Sequence, residues 1–346
     1  MSYRPSSPVQ LPNGHWACSD HLLQVCPICT VDYTYLNELS DDGEEPSPIA
    51  PLLSHIREKR ARPTQAVGND DNVITMGGIE TTSPNMILSP WAHMDLSLRR
   101  GTGRIIAEKF VPPEVVASST FGGSATPLDI FPPGISHKAS PVVRRFIHRH
   151  DQTQFLIYTD GACLDNGGLS PQAGCAFYFR PPAEDTQDGR RHNRRRPGTM
   201  EFPPPSQGYT SFHLEKRGPF GDPSSQTSNR AELRAVIGAL RFRVWQGEGF
   251  RTLVIATDSE YVVEGATNWV KGWLRNNWRT RSGPVKNKDL WEALLGEIER
   301  HHDKGLKVLF WRIPRELNMV ADQKAKIAAQ EEPASESWND VSGVMV

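Results

Sequence analysis

Apolar runs and helical spacing are concentrated in the second half of the chain. Short apolar runs bounded by turn residues predict five buried strands, which begin at Phe155, Gly174, Tyr209, Leu253 and Lys307. Apolar residues recur at helical spacing in three longer segments, which begin at Asn229, Lys288 and Asn318. With a short helix after Ser259, this order predicts an α/β domain over 151–330, in which helices flank a five-stranded mixed sheet.

The remainder of the chain lacks this periodicity. Of the 28 prolines, 16 fall in the first 150 residues, and pairs such as Pro112-Pro113 interrupt long elements. We therefore expect 41–150 to be a Pro-rich linker, mostly irregular or disordered, with short segments that dock on the domain. Residues 1–40 form a separate N-terminal segment, and 331–346 form an acidic tail.

A basic insertion over 182–207 interrupts the predicted domain. It contains Arg190-Arg191 and Arg194-Arg195-Arg196, and three prolines follow at 203–205. Three interpretations stay open: a second contact with nucleic acid, a nuclear import signal, or a disordered loop.

The net charge of −1 conceals an uneven distribution. Residues 151–330 carry 26 basic and 21 acidic residues, net +5, which suits either a polyanion-binding face or an ordinary solvated surface. No window approaches the roughly 20 apolar residues of a membrane helix, and no apolar stretch opens the N-terminus. Five cysteines disfavour a disulfide framework. We expect a nuclear or cytoplasmic protein without membrane association.

Four carboxylates stand at the ends of predicted elements. Asp160 and Asp258 follow buried strands, where a carboxylate is costly unless it is paired or bound to a cation. Glu232 and Asp322 fall near helix starts, where the helix dipole alone explains an acid. Convergent carboxylates favour hard cations such as Mg²⁺. Two such ions can hold both the attacking and the leaving oxygen of a phosphodiester displacement.

The same residues lie in motifs that resemble type 1 ribonuclease H, namely 158–163, 229–233, 256–259 and 318–322, with a basic handle at 267–278. The resemblance covers about half of the chain, 154–329. It implies a ribonuclease H-like fold and an endoribonuclease that hydrolyses the RNA strand of RNA–DNA hybrids, leaving 5′-phosphate and 3′-hydroxyl ends. It also implies that no small-molecule cofactor is needed.

The resemblance implies a role for each carboxylate. Asp160 would bridge two Mg²⁺ ions, which Mn²⁺ can replace, and Asp322 would hold the ion that activates water. Glu232 and Asp258 would hold the ion on the leaving-group side, with Glu232 also sensing the ribose 2′-hydroxyl.

Substrate contacts are implied in the same way. The minor groove of the hybrid would contact Asn166, Ser228 and Asn229, and a DNA phosphate would contact Thr227 and Asn287. Trp269 and Trp273 would line the DNA channel, although their i, i+4 spacing is equally typical of helix packing. The handle and the residues that follow it carry six basic residues among tryptophans, which suits either contact with a nucleic-acid backbone or an ordinary solvated helix face: Lys271, Arg275, Arg279, Arg281, Lys286 and Lys288.

Two positions depart from the family pattern. Arg312 stands where the family usually has a histidine, and arginine cannot act as a general base near neutral pH. Ser225 stands where some relatives have a phosphate-binding arginine. Alternative hypotheses are therefore a catalytically weak hybrid-binding or scaffold protein, and a relative of the same fold that acts on other nucleic acids.

The N-terminal segment contains a second group of candidate ligands. Cys18, His21, Cys26 and Cys29 give the spacing C-x2-H-x4-C-x2-C, which suits tetrahedral Zn²⁺ and resembles small zinc knuckles. His15 is an alternative to His21, and cysteines without a metal in an unstructured tail are the other interpretation. Two further cysteines, Cys163 and Cys175, are predicted to be core thiols without metal.

Overall fold

The computed structural model describes residues 8–26, 31–34, 36, 97–113, 125–139, 142–182, 208–331, 334–341 and 343. Apart from Ser97, these residues belong to one compact unit, drawn from 1–42 and 98–346. The predicted linker up to residue 96, the predicted insertion after Pro182, and Cys29 lie outside the described residues.

Strands are numbered here in chain order. Four short strands lie in the N-terminal segment and pair as β1 with β2 and β3 with β4: β1 Pro8–Gln10, β2 Trp16–Cys18, β3 Val25–Cys26 and β4 Val31–Asp32. Within the described residues, eight strands form the central sheet: β5 Glu108–Lys109, β6 Pro133–Ser136, β7 Val143–Ile147, β8 Gln154–Leu164, β9 Gln172–Tyr178, β10 Tyr209–His213, β11 Thr252–Thr257 and β14 Lys307–Arg312. A small hairpin stands apart: β12 Arg279–Thr280 and β13 Gly283–Pro284.

The central sheet is mixed, as its sequence predicts. Its order is β10-β9-β8-β11-β14-β5, with antiparallel pairing among the first three strands and parallel pairing from β8 to β5. The β6–β7 hairpin joins β8 in antiparallel fashion. The five strands predicted from apolar runs lie next to one another from β10 to β14, and three further strands extend the sheet, which confirms the expected α/β class.

Six α-helices complete the described fold: α1 Pro127–Ile130, α2 Ser228–Phe242, α3 Glu260–Glu264, α4 Val270–Arg275, α5 Lys288–Asp303 and α6 Met319–Gln330. A π-helical turn at Gly265–Trp269 joins α3 to α4, and a 3₁₀ turn at Arg315–Leu317 precedes α6.

Strand β8 is buried on both faces. Phe155 and Ile157 pack into the cluster that contains the apolar side chains of α2 and α5. The residues that alternate with them, Leu156 and Tyr158, pack on the opposite face with Trp311 and with Ala321 of α6. A strand covered on both faces reads as a continuous apolar run, which is why the sequence reveals it.

Short segments of the predicted linker lie against the domain. Strand β5 and the β6–β7 hairpin extend the sheet. The buried carboxylate of Glu299 in α5 accepts hydrogen bonds from the backbone N–H groups of Thr102, Gly103 and Arg104, at 2.9, 2.8 and 3.2 Å. Strands of two to five residues carry too few positions for a detectable hydrophobic period.

The C-terminal tail lies against α2 and is held by charge. Asp340 forms an ion pair with Arg241 at 2.6 Å. The carbonyl oxygen of Asn339 accepts a hydrogen bond at 2.7 Å from the guanidinium of Arg234. The same guanidinium forms an ion pair with buried Glu215 and lies over the ring of Trp338. The tail therefore shields a buried ion pair from water.

Deletion of 334–346 should destabilise the domain. It removes the Arg241–Asp340 pair and opens the buried Arg234–Glu215 pair to solvent, for a cost of about 1–2 kcal/mol. In a domain of this size, that cost corresponds to a fall in Tm of roughly 2–8 °C. Thermal denaturation followed by circular dichroism would measure it, with deletion of 344–346 as the control. An unchanged Tm would show that the tail contributes no stability.

Among the described helices, none combines the length and apolar character required to cross a bilayer.

Candidate active site

Two neighbouring parallel strands bring the first two carboxylates together. The register pairs Tyr158 of β8 with Ala256 of β11, so Asp160 and Asp258 stand at the same level two residues later. Strand β8 continues past Asp160 to Leu164, which places this aspartate within the strand rather than at its predicted end. Asp160 is buried and Asp258 half-buried.

Helix α2 supplies the third carboxylate. Thr227 caps the helix by accepting a hydrogen bond from the N–H of Arg230, so Glu232 lies one turn in, slightly further than the sequence pattern suggests. At Gly161 any Cβ would collide with the backbone nitrogen of Glu232, and this close approach sets the helix against β8. Carboxylate oxygens of Asp160, Glu232 and Asp258 all lie within 4.8 Å of one another.

The fourth carboxylate, Asp322, is paired with cationic side chains. It lies in the first turn of α6 and forms ion pairs with Arg315 at 2.6 Å and with Lys326 at 2.8 Å. Arg315 also approaches Asp258, at 3.9 Å, and so links Asp322 to the other three carboxylates.

The carboxylates of the cluster repel one another, and burial disfavours their charged forms. Burial, followed by the negative charges of Glu232, Asp258 and Asp322, raises the pKa of Asp160 well above its ordinary value. Burial and Asp258 raise the pKa of Glu232 in the same way, and Glu232 Oε2 is buried without a hydrogen-bond partner within the described structure. Three converging oxygen donors with an unpaired acceptor fit a hard divalent cation.

The positive charge of Arg315 partly offsets the repulsion between these carboxylates. Burial disfavours its charge, but Asp258, Asp322 and Asp160 outweigh burial and raise the pKa of Arg315 above its ordinary value. Its positive charge in turn limits the rise in the pKa of Asp160 and Glu232. Sequence reasoning missed this residue because an arginine in a loop carries no periodic signal.

Two neighbours of Arg315 have distinct positions. Asn318 is buried and donates hydrogen bonds from Nδ2 to Asp258 Oδ1 at 2.8 Å and to the Thr159 carbonyl at 3.0 Å, so it orients Asp258. Arg312, which stands at the family's usual histidine position, has a side chain that is 55% exposed and pairs with Glu260 at 2.9 Å. Of these two arginines, Arg315 is therefore the one that belongs to the carboxylate site.

Known proteins resemble this chain over its second half. The family model described as RNase H matches residues 152–330, slightly more than half of the chain. The chain belongs to the ribonuclease H family. Ribonuclease HI of Neisseria meningitidis serogroup B is 46% identical over 152 residues, which are 44% of this chain and 78% of that protein. Ribonuclease H of Actinobacillus pleuropneumoniae serotype 5b is 33% identical over 174 residues, which are 50% and 88% of the two chains.

Solved structures give a weaker likeness. A type 1 RNase H that carries the type 2 active-site motif is 24% identical, with 54% of this chain and 77% of that chain covered and a TM-score of 0.33.

The ribonuclease H domain also brings together two of the predicted minor-groove residues. Asn166 Nδ2 donates a hydrogen bond to Ser228 Oγ at 3.0 Å, and both side chains are buried beside the start of α2. Asn166 Oδ1 is buried without a partner in the described part of the chain, which leaves an acceptor for a ligand. Asn229 follows Ser228 and is half-buried.

The two predicted phosphate contacts are connected by Arg230. Thr227 caps α2 beside this arginine, and Arg230 Nη1 approaches Asn287 Oδ1 at 3.5 Å while its guanidinium pairs with Asp289 at 2.5 Å. Asn287 has a left-handed backbone, with φ of 55°, and donates to the Tyr261 hydroxyl at 3.1 Å. Arg230 therefore contacts both side chains, Thr227 through its backbone N–H and Asn287 through its guanidinium.

The two predicted channel tryptophans differ in exposure. Trp273 is only 6% exposed and packs against Trp278 and Trp291. Trp269 is half-buried, with its ring centroid 6.0 Å from that of Trp273. Helix packing accounts for Trp273, whereas Trp269 keeps an accessible face.

The cysteine ligands predicted at the N-terminus lie apart from the carboxylate cluster. Cys18, His21 and Cys26 form a group whose ligand atoms are mutually close. The alternative ligand, His15, is not in that group. Cys163 and Cys175 are buried core thiols, and burial raises the pKa of Cys175 well above its ordinary value.

Proposed function

We propose that this protein hydrolyses the RNA strand of RNA–DNA hybrids with two divalent metal ions, and that it leaves 5′-phosphate and 3′-hydroxyl ends. The observation that supports this proposal is the group of Asp160, Glu232 and Asp258, with Asp322 linked to it through Arg315, in a chain of the ribonuclease H family.

The cluster offers oxygen donors only, which favours Mg²⁺, or Mn²⁺ in its place, over softer metals. Asp160, Glu232, Asp258 and Asp322 would hold the ions. When bound, such ions activate water and stabilise the negative charge that develops on the attacking and leaving oxygens.

The protein's own residues align these ligands and limit the rise in their pKa. Asn318 fixes one oxygen of Asp258, and the positive charge of Arg315 opposes the upward pKa shifts of Asp160 and Glu232. The Gly161 contact keeps Glu232 against β8. A cluster prepared in this way needs little reorganisation when the substrate arrives.

Selectivity for RNA would come from the start of α2. The unpaired Asn166 Oδ1 can accept a hydrogen bond from a ribose 2′-hydroxyl, the group that distinguishes RNA from DNA. Ser228 orients the amide by accepting from its Nδ2. The DNA strand would be held by a phosphate at Thr227 and Asn287, beside the guanidinium of Arg230.

One observation favours the alternative of a catalytically weak hybrid-binding protein. The guanidinium of Arg315 occupies a cation position against Asp322, where it competes with a metal ion for the same carboxylate. Weak turnover with retained hybrid binding is the result that this alternative predicts.

Gel-resolved cleavage of labelled substrates tests the proposal. We expect cleavage of an RNA–DNA hybrid with Mg²⁺, and none of single-stranded RNA, duplex RNA or duplex DNA. Asp258→Asn should abolish cleavage, whereas Asp222→Asn, which changes an exposed aspartate, should not. Products should accept a 5′ label only after phosphatase treatment and should prime a polymerase from their 3′ ends. A folded protein that binds the hybrid without cutting it would support the alternative.

A further inference from the structure

Three metal-ligating side chains meet in the N-terminal segment, outside the active site. Cys18 ends β2, Cys26 ends β3, and His21 lies in the turn between these strands. His21 Nδ1 is 3.6 Å from Cys18 Sγ and 3.5 Å from Cys26 Sγ. Both cysteines are fully buried, although the strands around them are only two or three residues long.

These two distances match the sulfur–nitrogen edges of a tetrahedral zinc site. With Zn–S bonds of about 2.3 Å and Zn–N bonds of about 2.0–2.1 Å, tetrahedral geometry places sulfur and nitrogen ligands about 3.5–3.6 Å apart. Hydrogen bonding explains the arrangement less well, because a histidine Nδ1 carries either one lone pair or one proton and can serve only one sulfur at a time. A cation shared by the three side chains accounts for both distances.

We propose that Cys18, His21 and Cys26 bind a structural Zn²⁺ ion. The sequence spacing C-x2-C offers Cys29 as a candidate fourth ligand, but this residue lies outside the described structure, and the proposal rests on the other three side chains. Thiolate and imidazole are soft ligands that select Zn²⁺, whereas the carboxylate cluster selects hard cations. The two sites therefore take different metals from the same solution.

The segment held by this ion lies against two loops of the catalytic domain. Val25 packs against Gly167, whose added Cβ would lie 3.0 Å from Val25 Cγ1, and Gly167 follows Asn166. Thr34 Oγ1 accepts a hydrogen bond from Lys286 Nζ at 3.2 Å, next to Asn287. Buried Cys18, Cys26 and Tyr33 belong to the same apolar cluster as the core of the domain.

This docking gives the ion a positioning role. The two loops carry the proposed 2′-hydroxyl contact and the proposed phosphate contact, so this role rests on the proposed function. So small a segment cannot bury enough apolar surface to fold alone, and metal binding supplies the missing folding free energy. Loss of zinc should free the segment and loosen both loops.

Metal analysis of the full-length protein tests the site without reference to activity. Mass spectrometry of purified protein should find about one zinc per chain, consistent with a tetrahedral site of this kind. Zinc should fall to background in Cys18→Ser and Cys26→Ser. It should stay at the wild-type level in Cys163→Ser, a matched change at a buried core thiol, and in Asp258→Asn at the active site.

Cobalt substitution gives a second measurement that needs no variant. Co²⁺ bound to the wild-type chain should show the thiolate charge-transfer band and the intense visible bands of tetrahedral coordination. Absence of both zinc and these bands would overturn the proposal, and zinc retained in Cys18→Ser would overturn the ligand assignment. Because neither readout involves cleavage, an inactive protein that holds zinc would refute only the proposed function.

Steady-state kinetics test the positioning role. In saturating Mg²⁺, Cys18→Ser should raise the KM for hybrid several-fold and leave kcat little changed, since the carboxylates are untouched. An unchanged KM would overturn this role.

Discussion

Asp160→Asn should abolish hybrid cleavage and at the same time stabilise the fold. The variant removes the carboxylate at the centre of the cluster, and with it several kcal/mol of charge stabilisation in the transition state. That loss corresponds to a fall in kcat of roughly a thousandfold or more. Single-turnover cleavage of a labelled hybrid would measure it.

The stabilisation follows from the raised pKa of Asp160. A carboxyl group whose pKa is higher in the folded state than in the unfolded state favours folding only while it is protonated. It lowers the free energy of unfolding once the pH rises above its pKa in the unfolded state. At neutral pH the neutral amide relieves this cost. We expect Tm without divalent ions to rise by roughly 2–4 °C, the shift for about 1 kcal/mol in a domain of this size.

Addition of Mg²⁺ provides the internal control. Mg²⁺ should raise the Tm of the wild-type protein because it binds the folded state. The expected gain in the free energy of unfolding is about 1.4 kcal/mol for each tenfold excess over the Kd. The Tm of Asp160→Asn should rise little when Mg²⁺ is added. A variant with lowered Tm would instead indicate structural damage, and the loss of activity would then say nothing about the cluster.

Arg315→Ala should slow cleavage and move its pH dependence to higher pH. Arg315 lowers the pKa of Asp160 and Glu232, so its removal raises both. The carboxylates then keep their protons to a higher pH, and the rate rises with pH over a later range than in the wild type. At neutral pH we expect kcat to fall by about 10²-fold, as for the loss of one preorganised charged group. Rates across the pH range in saturating Mg²⁺ would measure both effects.

Two variants separate charge from other causes. Arg315→Lys keeps the charge and should restore most of the wild-type pH profile. Arg312→Ala removes an exposed arginine of the same segment, and the pH profile should not move. A slower Arg315→Ala enzyme with an unshifted profile would contradict the electrostatic role and would point to a direct contact with the substrate.

Two of the four carboxylates were predictable from local patterns. Asp160 and Asp258 follow apolar runs of buried strands, which the sequence displays directly. Glu232 and Asp322 stand near helix starts, where the helix dipole alone explains an acid, so the resemblance of their motifs to ribonuclease H singled them out. The parallel register of β8 and β11 and the close approach of Gly161 to Glu232 are visible only in the structure.

Arg315 and the docked segments before residue 150 were not predictable in the same way. The role of Arg315 comes from three carboxylates that are distant in sequence, and no local pattern encodes that convergence. Strand β5 is two residues long and is defined only by its partner β14. Likewise, the spacing of the N-terminal cysteines suggested zinc, but only the structure shows which two loops they adjoin.

The pairing of β5 with β14 has a consequence for how the chain folds during synthesis. Lys307 of β14 forms an ion pair with Glu108 of β5, at 2.7 Å and across 199 positions of sequence. Closure of so long a loop is entropically costly, and contacts of this separation slow folding. Strand β5 leaves the ribosome early, and nearly the whole domain must be synthesised before its partner β14 emerges. Until then, β5 has no partner for its backbone hydrogen bonds, so nascent chains expose an unpaired strand edge, a feature that favours misassembly.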